Sequence, residues 1–253
     1  MNKTLKRIVI ALLVLIILWL GACFALLIIS PKMIFKTEKS KNISLDLQPI
    51  QEFRTNANGD SIDILWIPND TAKLTYLYFH GNIGRLNKVL NDLQPYGNIC
   101  APTYPGYAKS TGVPTTENTY ETVDIAINFL KEKNIDLKNV IVLGHSLGGS
   151  PAMYAAGKYP DLKKVITVNT FHSITKMCEN QYKILCLFSS GILNTASLAP
   201  SAKAPILLCH TPNDSLIPYQ QGEELYKLIG SQQKEFRTIG GIHGVFNMDE
   251  VLK

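Results

Sequence analysis

A chain of 253 residues is long enough for one large domain with a substantial core, and an apolar content of 46% with mean hydropathy near zero describes a globular protein. The formal charge of +5 is unevenly placed: residues 1–41 hold seven basic residues and one acid, a local +6, and the remainder is close to neutral at −1. The excess therefore belongs to the N-terminal segment, no basic patch is left to bind nucleic acid, and the five cysteines have neither paired nor metal-ligand spacing.

Residues 8–29, "IVIALLVLIILWLGACFALLII", carry no charge. Twenty-two residues of helix span about 33 Å at ~1.5 Å per residue, against a hydrocarbon core of about 30 Å. The run predicts an uncleaved single-pass anchor, with 1–41 as anchor and flanks. Leu20-Gly21-Ala22-Cys23 is a lipobox-like alternative, in which Cys23 would be acylated after cleavage. The apolar residues that follow Cys23 favour the anchor, since a lipoprotein normally continues into a polar tether. Lys3, Lys6 and Arg7 precede the span and Lys32, Lys36, Lys39 and Lys41 follow it, so positive-inside counting leaves the membrane side open.

Beyond residue 42, short β-rich runs alternate with helical patterns. "SIDILWIP" (61–68) alternates with period two and reads as an early antiparallel strand. "KLTYLYFH" (73–80) is continuously apolar, as a strand buried on both faces requires. A helix over 85–96, strand "NICAPTY", helix "TTENTYETVDIAINFLKEKN" and strand "NVIVLGHS" follow. Helix "SPAMYAAGKY", strands "KKVITVN" and "PILLCHT", helix "PYQQGEELYKLIG" and strand "KEFRTIGG" complete the pattern. Strands separated by helix-length segments predict a mainly parallel sheet, hence one α/β domain over 42–253. Residues 170–204 exceed what one crossover needs and read as a crossover helix with irregular ends or a small lid. Cys178 and Cys186, on one helix, would lie about 12 Å apart and could not bridge, so buried free thiols are expected.

The stretch "NVIVLGHSLGG" (139–149) places Ser146 where a strand ends and a helix begins, flanked by Gly144 and Gly148. So sharp a reversal forces the serine into a strained conformation and needs small neighbours. Its hydroxyl would stand above the carboxyl ends of the strands, and the helix N-terminus would aim the Leu147 N–H at a developing oxyanion. A hydroxyl nucleophile needs a base and a group to orient it. Among His80, His145, His172, His210 and His243, the last follows the final strand in "GGIH" and can overhang the carboxyl edge. Asp214, in "LLCHTPND", leaves another strand end, so the order is Ser146, Asp214, His243. Taken singly, Asp214 is equally a turn-former and His243 a loop residue.

The sequence resembles α/β-hydrolase-fold serine hydrolases. It is most similar to the single-pass, membrane-anchored branch that includes lipid-directed and protein-depalmitoylating enzymes. The resemblance rests on the apolar run with "YFHGNIGR" (78–85), "YPGYAKSTG" (104–112), "GHSLGG" (144–149), "LLCHTPNDSLIP" (207–218) and "GGIH" (240–243). It implies Ser146 as nucleophile, His243 as base and Asp214 as the orienting acid. Leu147 and Asn82 would supply the oxyanion-hole N–H groups, with Ile83 as the neighbour of second choice. No metal or organic cofactor is implied. The substrate would be a small-molecule or lipid-like acyl compound met at the membrane, and the oligomeric state stays open. Thr211-Pro212 stands where the family commonly has glycine in H-G-x-x-D, and Ala108 replaces the last glycine of P-G-Y-G. A peptidase or acyltransferase would use the same machinery, and a non-catalytic binding protein is the alternative outside enzymes.

Overall fold

The computed structural model describes residues 2–37, 49–85, 87–177 and 191–253. Helix α1 (Lys3–Ile34) outlasts the apolar run that ends at Ile29. Within it, Leu5–Ala22 is long and apolar enough to cross a membrane, and none of that window is buried against the rest of the chain. Ile17, Trp19 and Phe24 are each about two-thirds exposed. The helix ends beside Phe35, which by contrast is buried in the main apolar cluster.

Eight strands form one sheet: β1 (Ile50–Thr55), β2 (Ser61–Ile67), β3 (Thr75–Phe79), β4 (Asn98–Pro102), β5 (Val140–His145), β6 (Lys164–Val168), β7 (Ile206–His210) and β8 (Lys234–Thr238). Their spatial order is β1-β2-β4-β3-β5-β6-β7-β8. β1 and β4 both pair antiparallel with β2, and every other pairing is parallel. The strands read from sequence all form. β1, unread because its half-exposed residues show no clean alternation, adds an edge strand.

Side chains of the central strands alternate between the two faces, which explains their near-continuous apolar runs. Leu77 and Phe79 enter the cluster that holds Val123, Ala126 and Ile127 of α3 (Thr116–Glu132) and Ala152 and Met153 of α4 (Gly149–Lys158). Tyr76 and Tyr78 enter the opposite cluster, which takes Val89, Leu90 and Leu93 from α2 (Asn87–Leu93). Helix α3 starts cleanly because Thr115 and Asn118 form a reciprocal capping box. The short α5 (Thr195–Leu198) and α6 (Tyr219–Leu228) flank β7 in sequence. After β8 comes a two-residue hairpin, β9 (Gly241–Ile242) with β10 (Val245–Phe246), and then α7 (Met248–Leu252).

Register aligns the carboxyl ends of the parallel strands. Phe79 sits opposite Gly144, His145 opposite Val168, Val168 opposite Cys209, and His210 opposite Thr238. The loops that follow β3, β5, β6, β7 and β8 therefore open on one edge. The middle of the crossover or lid stretch, 178–190, lies outside the described residues, Cys178 and Cys186 with it. Its flanks are packed, with Phe171, Ile174 and Leu193 in the main cluster. Cys100 and Cys209 are buried free thiols.

One buried ion pair staples the antiparallel part of the sheet. Arg85 lies 3.0 Å from the Asp63 carboxylate. It also donates to the carbonyls of Ala101 and Asp63, both at 2.9 Å. The guanidinium thus fixes β2, β4 and the end of the loop after β3 in one place. Removing one partner of such a pair leaves an uncompensated buried charge. Arg85→Met is expected to destabilise the protein by about 3–5 kcal/mol, seen as a lower melting temperature in detergent, and adding Asp63→Leu should recover much of the loss.

Candidate active site

Ser146 has φ +54, a left-handed conformation that ordinary side chains avoid. The surrounding glycines make it tolerable by letting three elements close together. A Cβ on Gly144 would lie 2.3 Å from the Gly148 carbonyl oxygen. One on Gly148 would lie 2.0 Å from the Phe79 carbonyl oxygen of β3. One on Gly149 would lie 1.8 Å from Thr170 Oγ1, so the backbone of the turn is in contact on every side. The Thr170 hydroxyl also donates to the Ser146 carbonyl at 3.2 Å.

The structure brings Ser146, His243 and Asp214 into one hydrogen-bonded line. His243 Nδ1 is 2.7 Å from Asp214 Oδ2, and His243 Nε2 is 2.9 Å from Ser146 Oγ. Asp214 is buried, and a carboxylate only accepts, so Nδ1 carries the proton and the serine hydroxyl donates to Nε2. Burial pushes the Asp214 carboxyl up. The hydrogen bond from His243 and the N–H groups of Ile217 and Leu216 outweigh it and hold the acid below its usual range.

Two further residues hold His243, and neither was singled out from sequence. His145 Nε2–H donates to the His243 carbonyl at 2.7 Å, and Asn169 Nδ2 donates to the same oxygen at 3.0 Å. Asn169, itself at φ +50, also accepts from the Thr211 N–H at 2.8 Å. It thereby ties the Asp214 loop to the His243 loop. His145 could have been noticed as the residue before the serine, but nothing in the sequence marks Asn169 beyond its place at a strand end.

Leu147 follows Ser146 in the first turn of the helical segment, where its N–H has no preceding carbonyl within the helix to bond. Asn82 lies in the turn after β3, closed by a Gly84 N–H to Gly81 carbonyl bond of 3.1 Å. The Gly81 backbone packs on the serine: a Cβ there would sit 3.3 Å from Ser146 Cβ. The Asn82 side chain points elsewhere, its Oδ1 accepting from the Tyr107 hydroxyl at 2.8 Å and from the Lys36 N–H at 2.9 Å. His80 donates from Nδ1 to the Gly81 carbonyl at 2.7 Å and packs against Tyr104 and Tyr107. Ala108 takes φ +47, where the family's glycine would stand, and the Asp214 N–H still reaches the Thr211 carbonyl at 3.2 Å.

Residues 77–188 match the family described as alpha/beta hydrolase fold. The protein bem46 of Schizosaccharomyces pombe is 28% identical over 211 residues, covering 78% of this chain and 71% of its own. A Saccharomyces cerevisiae protein described as a membrane protein is 29% identical over 189 residues, 71% of this chain and 63% of its own. An esterase of Pyrococcus furiosus superposes with a TM-score of 0.67 at 16% identity, over 80% of this chain and 87% of its own. The chain is therefore an α/β hydrolase in fold.

Three histidines beneath this edge are buried and neutral. Burial lowers His80 to about 3 and His145 to about 4, the latter helped by the charge of His243, and it lowers His210 as well. A histidine depressed in the folded state binds its proton more readily when unfolded. Stability is thus complete above pH 6.5 and is lost as pH falls from there toward the folded values. Stability in detergent is expected to fall by about 1.4 kcal/mol per pH unit for each of His80 and His145 as pH drops from 6.5 to 4, with His210 adding in the same direction.

Proposed function

We propose that the chain is a membrane-anchored serine hydrolase that cleaves carboxylic ester or thioester bonds in lipid-like or acylated substrates. The observation that carries this reading is the continuous line from Ser146 Oγ through His243 to buried Asp214, starting from a serine held at φ +54. Ser146 attacks the acyl carbonyl while His243 takes its proton at Nε2. Asp214 keeps Nδ1 protonated and stabilises the imidazolium that forms. The N–H groups of Leu147 and Asn82 receive the negative charge that develops on the carbonyl oxygen. His243 then returns the proton to the leaving alcohol or thiol, and a water activated by the same imidazole clears the acyl-enzyme.

Residues 1–41 serve as the anchor and its flanks, and 42–253 as the catalytic domain. A membrane protein among the relatives and an esterase among the structural neighbours support the two halves of this reading. The interval from Ser146 to Asp214 leaves no space for a large cap, which suits substrates that present an acyl group at a surface.

Fluorophosphonate labelling of the detergent-solubilised protein tests the reading. The wild type should label and Ser146→Ala should not; a folded wild type that fails to label would point to a binding protein instead. In ester hydrolysis Asp214→Asn should lower kcat by roughly 10³–10⁴-fold, because the imidazole loses the partner that sets its tautomer.

Asn169→Leu removes one donor to the His243 carbonyl and leaves the three reacting side chains in place. It is expected to lower kcat on the order of 10–100-fold with KM nearly unchanged, as a small misplacement of the base would.

A further inference from the structure

The segment just after α1 is joined to the domain at the loop that carries Asn82. Phe35 is only 4% exposed and belongs to the main core, and the next residue, Lys36, donates its N–H to Asn82 Oδ1 at 2.9 Å. The apolar run ends at Ile29, seven residues earlier, and the chain stays helical to Ile34. At ~1.5 Å per residue that interval is about 10 Å, while the headgroup layer on each side of a bilayer is roughly 5–8 Å deep. A helix that spans the membrane leaves Asn82 at the outer edge of the headgroups, and tilt brings it closer.

Three loops on the edge where Ser146 stands carry exposed aliphatic side chains. Ile83, beside Asn82, is 51% exposed, and Leu216, two residues past Asp214, is 43% exposed. Ile242 and Val245 face each other across the β9–β10 hairpin that carries His243, at 55% and 54%. Scattered exposed aliphatics are ordinary, but these four all fall on the edge that the tether holds nearest the lipid.

Resting on the membrane-anchored reading above, we propose that Ile83, Leu216, Ile242 and Val245 form a rim that inserts into the lipid surface, so that the mouth of the site opens onto the bilayer. The partner is the lipid itself, with the lysines that flank the span favouring anionic headgroups. A substrate's acyl group would then pass from the membrane to Ser146 without crossing bulk water.

The test uses the full chain in phosphatidylcholine–phosphatidylglycerol vesicles and does not depend on catalysis. Trp19→Phe removes the indole within the apolar run and leaves only buried Trp66. Into that background go Leu216→Trp or Ile242→Trp, and as control Leu228→Trp, an exposed site at the end of α6 on the opposite edge of the sheet. Lipids brominated along the acyl chain should quench the two rim positions by about twofold or more over the background, and the control hardly at all, as expected for side chains at the headgroup–acyl boundary. The rim sites lie on separate loops, so a folding defect at one leaves the other readable. A chain that floats with the vesicles but shows no more quenching at the rim than at the control overturns this inference and leaves the hydrolase reading intact. A chain that does not float overturns the anchor and the rim together, whatever the fluorophosphonate result.

Discussion

The site depends on a backbone that passes through a space too small for side chains. Between β5 and α4 the chain reverses within a few residues, and the Gly148 backbone meets the Phe79 carbonyl of β3 at a distance no Cβ could share. Gly144 and Gly149 are similarly enclosed, by the turn itself and by Thr170. These contacts over-determine Ser146, whose left-handed conformation costs on the order of 1–3 kcal/mol and persists only where packing leaves no alternative. The strain lifts the hydroxyl off the sheet, toward the loops that leave the neighbouring strands.

His243 stands in the turn of the short β9–β10 hairpin, where a side chain would ordinarily sample several positions. Here it is held from both ends. Asp214 takes the ring, while His145 and Asn169 take the backbone carbonyl. The rings of His145 and His243 are 5.3 Å apart, so the charge state of one matters to the other. Burial keeps His145 neutral at physiological pH, and the imidazolium that the proposed mechanism forms on His243 meets no like charge there. Asn169 also accepts from the Thr211 N–H in the loop of Asp214, so one side chain links the backbones of the two loops that place Asp214 and His243.

The parallel strands were legible in the sequence because burial on both faces leaves no polar alternation to obscure them. The elbow was legible because its glycines and serine fall within six residues, and the strand-to-helix pattern gave the motif its context. Strand β1 was not: at the sheet edge only part of each side chain is covered, and "IQEFRT" shows neither period clearly. The support for His243 was hidden for a different reason. It runs through a backbone carbonyl, to residues 98 and 74 positions away, and a carbonyl leaves no trace in residue type. The link between Lys36 and Asn82 is of the same kind, joining a backbone N–H to a side chain 46 residues on. Ala108 shows the limit of motif comparison, since an alanine here takes a left-handed φ of +47 that residue type alone would not suggest.

The burial of Phe35 means that the boundary between helix and domain is not a flexible joint that can be cut at will. On the proposed anchored reading, a protease that freed the domain from the bilayer would have to act ahead of Phe35, leaving the aromatic side chain in place. Cleavage beyond it would strip a core side chain and, a residue further on, the Lys36 N–H that Asn82 Oδ1 accepts. A shortened version prepared for study in solution would keep the filled core and the Asn82 contact only with Phe35 and Lys36 still attached.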